Sequence, residues 1–165
     1  MRIEIFPLGP IDTNAYLVSN PETRAAVLID APFGAERTIG AQLEKEGLRL
    51  DAVLLTHGHW DHIGDAAKIA ELCKVPIVAG EGSRGIIEDP QLQQRYLFAG
   101  DELEPVKVDV CPEDGRILEY AGLKIKCIAV DGHCPGSVAY IIEDGGKTYA
   151  FVGDLIFQNS VGRTD

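Results

Sequence analysis

All four histidines of this 165-residue chain lie in two short segments whose residue types suit metal binding. His57, His59 and His62 stand in the run THGHWDHIG together with the carboxylate of Asp61, and His133 stands in DGHCPGS. Neutral imidazole is the commonest metal ligand in proteins, and carboxylates bind many of the same ions. A helix or a strand would place these side chains on different faces. We therefore predict that the first run is a loop wrapped around a cation.

The flanking sequence places this loop at the carboxyl end of a strand. Residues 51–55 form a short, mostly apolar run typical of a buried strand, and residues 63–73 have apolar positions at helical spacing. Sites in α/β sheets form at such strand ends. Asp154 and Asp30 also follow apolar, strand-like runs. Asp154 is either a turn-forming carboxylate or a metal ligand, and Asp30 is either a turn or cap residue or a carboxylate that orients a ligand.

These motifs resemble those of the metallo-β-lactamase superfamily, whose T-H-x-H-x-D-H signature is matched at every fixed position from Thr56 to His62. The runs GHCPGS (132–137), GDLIF (153–157) and SVGRTD (160–165) match in the same order and look most like its small glyoxalase II-type hydrolases, the hydroxyacylglutathione hydrolase-like enzymes. The resemblance implies an αββα four-layer sandwich, whereas periodicity alone supports only the α/β class. We expect residues 1–165 to form a single domain.

The resemblance also implies a binuclear metal site, in which one metal has three histidine ligands and a second has mixed ligands. It assigns His57, His59 and His133 to the first metal, Asp61 and His62 to the second, and Asp154 to the bridge between them. Two Zn²⁺ ions per full-length chain are expected, with iron or manganese as alternatives. Zinc lowers the pKa of a bound water to about 7, and Asp61, as a ligand or as the acceptor that orients the resulting hydroxide, is the candidate catalytic residue.

One ligand of the family pattern has no counterpart. The family's second metal is completed by a histidine in a later P-G-H-G-type loop, and this sequence holds no fifth histidine. We expect that the chain is a C-terminally truncated form that lacks the last strand and helix, because apolar surface and a strand edge would otherwise be exposed. The alternative is a protein that binds one metal well and the other poorly.

Three functions follow from the resemblance. The first is a hydrolase that uses metal-bound hydroxide on a small thioester such as a hydroxyacyl-glutathione, and this is the function we expect. The second is a mononuclear iron persulfide dioxygenase, in which His57, His133 and Asp154 would hold one iron. The third is a non-catalytic metal-binding domain, which the intact set of ligands disfavours.

Composition limits the partners and the compartment. The chain is 45% hydrophobic and has a net charge of −11. It lacks the basic runs that nucleic-acid binding requires, so we expect a small-molecule substrate. The absence of a long apolar segment or a signal peptide, and four scattered cysteines (Cys73, Cys111, Cys127 and Cys134), predict a cytoplasmic protein with reduced thiols and no membrane contact. Cys134 is expected to be a buried thiol, and the sequence does not indicate an oligomeric state.

The remaining elements alternate between strands and helices. We predict strands at 1–6, 16–19, 25–30, 76–79, 123–130, 137–143 and 147–152, the last two joined as a hairpin, and a helix at 35–46 that ends at Gly47. Residues 80–105 have no regular pattern. Because long irregular stretches are often binding loops, we predict that this stretch forms part of the substrate entrance.

Overall fold

A computed structural model describes residues 1–164. Within them the strands are β1 (Arg2–Leu8), β2 (Thr13–Asn20), β3 (Ala25–Ile29), β4 (Arg49–Leu54), β5 (Ile77–Val78), β6 (Ile117–Tyr120), β7 (Leu123–Ala129), β8 (Val138–Asp144), β9 (Lys147–Phe151), β10 (Ile156–Phe157) and β11 (Ser160–Val161). The helices are α1 (Ala35–Glu46), α2 (Trp60–Ile63), α3 (Ala66–Cys73) and α4 (Arg84–Glu88), with 3₁₀ turns at Glu81–Ser83, Pro90–Tyr96 and Gly153–Leu155.

The strands form two main sheets. The first has the order β1-β2-β3-β4-β5, with antiparallel pairing from β1 to β3 and parallel pairing from β3 to β5. The second is the antiparallel meander β6-β7-β8-β9, and β10 and β11 form a short hairpin of their own. Because β3 and β4 run parallel, their carboxyl ends lie at the same edge of the first sheet. Asp30 and Thr56 follow those two ends.

Two apolar cores lie on the opposite faces of the first sheet. On one face, Leu28 of β3 packs in the same core as Ile39 of α1 and Ile69 of α3. On the other face, Val27 of β3 packs in the same core as Ile125 of β7 and other residues of the second sheet. All five residues of β3 are buried, as expected of a strand that is covered on both faces. The predicted α/β class is confirmed, and residues 1–164 supply a helix layer and both sheet layers of the sandwich.

Several predicted element bounds are confirmed and others are wrong. Helix α1 spans its predicted residues and ends at Gly47, whose left-handed backbone (φ 61°) directs its N–H to the carbonyl groups of the last turn. The prediction of a single helix for residues 63–73 is wrong, because Gly64 and Asp65 are not helical and separate α2 from α3. A Cβ at Gly64 would lie 2.7 Å from the Phe33 ring, so the close approach of that aromatic side chain requires glycine there.

Two predicted loops contain helices. The metal-binding run was predicted to be a loop throughout, but its second half forms α2, which carries Asp61 and His62 on one helical turn. Residues 80–105 were predicted to be irregular, but they contain α4 and two 3₁₀ turns. The short strands β6, β10 and β11 were not predicted at all. No helix among residues 1–164 is long and apolar enough to cross a membrane.

Tyr140 of β8 joins the two sheets beneath the strand ends that support residues 56–64, here called the histidine loop. Its side chain is fully buried, and its hydroxyl lies 2.9 Å from the carbonyl oxygen of Leu55 and 3.3 Å from that of Val78. Burial raises the pKa of Tyr140 well above its usual value, so the hydroxyl group stays protonated. Its single hydrogen is shared between the two carbonyl oxygens, with the shorter hydrogen bond to Leu55. A polar contact inside the inter-sheet core thus fixes the second sheet against the ends of β4 and β5.

We predict that Tyr140→Phe lowers the free energy of unfolding by about 1 kcal/mol, because a buried hydrogen bond is lost and a carbonyl group is left without it. Tyr149→Phe, on the neighbouring strand and only half-buried, is the matched control and should change stability by less than about 0.5 kcal/mol. Urea unfolding followed by circular dichroism measures both values. Equal losses for the two variants would contradict this role of Tyr140.

Candidate metal centre

Loops that follow different strands bring the predicted site residues together. His57 and His59 lie between β4 and α2, while Asp61 and His62 lie within α2. The other two come from the second sheet, His133 from the loop between β7 and β8 and Asp154 from the 3₁₀ turn after β9. Their convergence depends on the packing of the two sheets against each other, because residues 57 and 154 are far apart in the chain.

The first cluster contains three imidazole rings. Nδ1 of His59 lies 3.1 Å from Nε2 of His57 and 3.0 Å from Nε2 of His133. The ring centroids of His57 and His133 are 4.9 Å apart. One nitrogen of each ring lies within 4.8 Å of the others, an arrangement that could hold a metal ion. This is the set that the resemblance assigns to the first metal.

The second cluster adds carboxylates and shares His57 with the first. One ligand atom from each of His57, His62 and Asp154 lies within 4.8 Å of the others. Nε2 of His62 is 3.1 Å from Oδ1 of Asp154 and 3.3 Å from Oδ2 of Asp61. The other oxygen of Asp154 lies 3.6 Å from Nε2 of His133. Asp154 therefore contacts both clusters, as a bridging ligand would.

Asp30 is buried behind the clusters and binds two parts of the histidine loop. Its Oδ2 lies 2.7 Å from Nδ1 of His62, and its Oδ1 accepts the backbone N–H of Thr56 at 2.8 Å. The Thr56 hydroxyl donates to the same carboxylate and lies 3.1 Å from Nδ1 of His57. Of the two interpretations left open for Asp30, the structure supports that of an orienting carboxylate.

These contacts determine which ring nitrogens can bind a cation. The carbonyl oxygen of Arg163, 3.0 Å from Nδ1 of His133, can only accept a hydrogen bond, so this nitrogen carries the proton. The Thr56 hydroxyl uses its proton on Asp30 and therefore accepts from Nδ1 of His57. With the proton on Nδ1, the neutral form of each ring has a lone pair on Nε2 that is directed at the other imidazoles. Nδ1 of His59 faces both of these atoms and can carry only one hydrogen, so without a cation at least one lone pair lacks a full partner. Three nitrogen donors that converge in this way fit a metal ion.

The electrostatics differ between the two clusters. Burial, reinforced by the neighbouring imidazoles, lowers the pKa of His57 far below its usual value, so this ring is neutral. Burial also acts to lower the pKa of His62, but the carboxylates of Asp30, Asp154 and Asp61 outweigh it and raise that pKa to about 10. Without a metal, a proton on His62 thus balances the charge of the surrounding carboxylates. A metal ion at the second cluster would take over that role.

An open cleft of about 480 Å³ exposes the carboxylate side of the site. Asp61, His62 and Asp154 form its floor. The turn between β1 and β2 borders it through Ile11 and Asp12, and the start of β2 through Asn14. Ile156 and Phe157 of the β10–β11 hairpin complete its wall. Residues 80–105, predicted to form the entrance, do not line this cleft. They contact the histidine loop through Ile86, Gln93 and Phe98.

Sequence reasoning missed two residues that contact the site. Thr13, the first residue of β2, donates a hydrogen bond from its hydroxyl group to Oδ2 of Asp61 at 2.8 Å. Gln93 is buried and hydrogen-bonds the backbone of the histidine loop. Neither stands in a motif with a metal-binding pattern, so no local signal could have found them. Cys134 is buried, as predicted.

Comparison with known proteins identifies the family. The model of the metallo-beta-lactamase superfamily matches residues 8–165, and the chain belongs to this superfamily, as its motifs predicted. Among curated relatives, hydroxyacylglutathione hydrolase GloC of Haemophilus influenzae is 32% identical over 166 residues, which cover 100% of this chain and 76% of that protein. Membership and this relative support a metallo-hydrolase.

Solved structures agree with this assignment. The BLEG-1 B3 metallo-beta-lactamase matches with a TM-score of 0.84 and 33% identity over 99% of this chain and 77% of that one. TTHA1623, solved in a di-iron-bound form, matches with a TM-score of 0.79 and 33% identity over 97% of this chain and 76% of that one. The chain therefore spans about three quarters of the length of these proteins.

We predict that Asp30→Asn weakens Zn²⁺ binding at the cluster of His62 and Asp154 by about 10- to 100-fold, the usual cost of losing a carboxylate behind a metal-bound histidine. An amide NH₂ facing Nδ1 of His62 would favour the tautomer whose proton sits on Nε2, the atom that faces the cluster. Competition with a chromophoric chelator measures the affinity. Asp65→Asn is the control, because Asp65 is equally buried but binds the Gly34 N–H outside the site. Equal Zn²⁺ affinity in the two variants would contradict the role of Asp30.

Proposed function

We propose that the protein is a metal-dependent hydrolase of a small thioester, of the hydroxyacyl-glutathione kind. The observation that carries this proposal is the pair of adjacent donor clusters, which share His57 and are both contacted by Asp154. Such a pair fits two metal ions side by side at the floor of an open cleft. The similarity to hydroxyacylglutathione hydrolase GloC supports the choice of substrate class.

The proposed ligands divide between the two ions as the family resemblance implies. His57, His59 and His133 would hold the first ion, Asp61 and His62 the second, and Asp154 both. When bound, the ions would lower the pKa of a water to about 7 and polarise the carbonyl group of the substrate. Nitrogen and carboxylate ligands suit Zn²⁺, which we propose as the metal, and they also suit iron, which the di-iron form of TTHA1623 contains.

Side chains around the site orient the proposed metal ligands. Asp30 fixes the ring of His62 from behind, and the hydroxyl of Thr13 holds Oδ2 of Asp61, the carboxylate oxygen that faces Nε2 of His62. A carboxylate held in this way can accept a hydrogen bond. Asp61 thus has the chemistry required of a catalytic residue that orients an attacking water. Rigid placement of this kind lowers the entropic part of the barrier.

The surroundings of the cleft favour a small substrate. Its volume of about 480 Å³ lies within the range of small-molecule sites, and its wall combines the apolar side chains of Ile156 and Phe157 with polar groups from the β1–β2 turn. The acidic balance of the chain, −11 overall, disfavours a nucleic-acid substrate. We therefore infer a small-molecule partner and neither a nucleic acid nor a membrane.

We predict that the Zn²⁺-loaded protein hydrolyses S-lactoylglutathione and that a chelator abolishes the activity until Zn²⁺ is restored. The loss of the ultraviolet absorbance of the thioester measures this reaction. A cephalosporin and a glutathione persulfide, the latter assayed with iron-loaded protein and an oxygen electrode, serve as comparison substrates. Cleavage of the cephalosporin alone, or persulfide-dependent oxygen uptake without thioester hydrolysis, would contradict the proposal.

We predict further that Asp61→Asn reduces kcat for the thioester by about 100-fold or more, because an amide of similar shape supplies neither the negative charge nor the proton acceptor. Asp89→Asn, at an exposed position between α4 and the following 3₁₀ turn, is the control and should keep the unsubstituted rate. Far-UV circular dichroism must show that both variants are folded. Full turnover by folded Asp61→Asn would remove Asp61 from the mechanism.

A further inference from the structure

Gln93 contacts the backbone of the histidine loop and does not line the cleft. Its side chain is 5% exposed, and both ends of its amide group are hydrogen-bonded to the loop backbone. Nε2 donates to the carbonyl oxygen of Gly58 at 2.8 Å, and Oε1 accepts the backbone N–H of Trp60 at 2.8 Å. The donors and acceptors match in only one orientation of the amide, so the geometry of this contact is unambiguous.

The two peptide groups that Gln93 binds are those on either side of His59. The carbonyl group of Gly58 belongs to the peptide before His59, and the N–H of Trp60 belongs to the peptide after it. Holding both peptides fixes the two backbone dihedrals between them, which are φ −67° and ψ 146° at His59. A change in either angle would move the His59 ring relative to His57 and His133.

His59 differs from the other histidines in how its ring is supported. His57 contacts Thr56, His62 contacts Asp30, and His133 contacts the carbonyl group of Arg163, each through the nitrogen that faces away from the cluster. Among residues 1–164, the corresponding Nε2 of His59 has no hydrogen-bond partner. The direction of this ring therefore depends on its backbone and on its contacts with the rings of His57 and His133.

We propose that Gln93 is a positioning residue for the metal centre, which holds the backbone of His59 so that Nδ1 points at the other two imidazoles. This inference rests on the proposed metal centre and is independent of the substrate. It assigns to the 3₁₀ turn Pro90–Tyr96 the function that a hydrogen-bonded partner performs for the other histidines.

The packing around Gln93 couples a surface segment to the metal centre. A Cβ at Gly58 would lie 2.7 Å from the side chain of Ile86, so α4 lies directly against the loop. The ring of Trp60 packs at 5.8 Å from that of Phe98, and Phe98 is about half exposed. Residues 84–98 therefore contact the loop through Ile86, Gln93 and Phe98, and a shift of this segment would act on the backbone of His59.

The test compares Gln93→Met with Gln94→Met. Methionine has nearly the shape of glutamine but makes neither hydrogen bond, and Gln94 is the exposed neighbour on the same turn. With Zn²⁺ alone as the probe, chelator competition should give about tenfold weaker binding for Gln93→Met and unchanged binding for Gln94→Met. The visible spectrum of the Co²⁺-loaded protein should change in the first variant only, because it reports the ligand geometry.

Gln93→Asn provides a second variant, since its amide is one methylene shorter and cannot reach both peptide groups. It should weaken Zn²⁺ binding in the same direction. Unchanged Zn²⁺ affinity and an unchanged Co²⁺ spectrum in a folded variant would overturn the proposal, as would loss of folding in both variants, which would make Gln93 a structural residue. Failure of the unsubstituted chain to bind Zn²⁺ would overturn it together with the metal centre. Failure to hydrolyse thioesters would overturn only the proposed function.

Discussion

The geometry of the site depends on the buried carboxylate of Asp30. It follows β3 and accepts hydrogen bonds from Thr56, which follows β4, while it also contacts His62 in α2. One side chain thus ties two strand ends and a helix together. Asp30 itself has a left-handed backbone (φ 59°), an uncommon conformation for a residue other than glycine. The hydrogen bonds of its carboxylate offset the strain of this conformation, which is of the order of 1–3 kcal/mol.

The remaining contacts hold the site from several directions. Parallel strands that are buried on both faces give the histidine loop a rigid base, and Tyr140 fixes the second sheet beneath it. Thr13, which lines the cleft, holds Asp61, and Gln93, which does not line it, holds the backbone on both sides of His59. A site needs ligands whose own orientations are locked by surrounding groups. Of the groups that do this here, Thr56 and Arg163 stand in the recognised motifs, whereas Asp30, Thr13 and Gln93 stand outside them.

The sequence allowed the parts of the fold that have strong local signals to be predicted. Helix α1 has regular periodicity and a terminal glycine, and the histidine motif contains its own spacing, so both could be identified without a structure. The helical turn α2 could not, because four residues carry no periodicity and its capping residue is itself a candidate ligand, His59. Residues 80–105 were misjudged for a related reason: short 3₁₀ turns and a five-residue helix leave no repeating apolar pattern.

In the candidate site, too, only the residues with a local sequence signal could be predicted. Six residues could be named from motifs, and the structure brings them into two adjacent clusters. Thr13 and Gln93 could not be named, because their importance arises only when distant segments pack against the loop. The predicted role of residues 80–105 at the substrate entrance stays a prediction, since a lack of regular pattern does not reveal which side of a site a segment will occupy.

The most direct test of the account is anomalous X-ray diffraction from crystals of this protein soaked in Zn²⁺. We predict an anomalous peak about 2.0–2.1 Å from Nε2 of His57, Nδ1 of His59 and Nε2 of His133. A second peak should lie between His62, Asp61 and Asp154. Peaks only at other positions, or the three imidazoles turned away from one another with no peak between them, would contradict it.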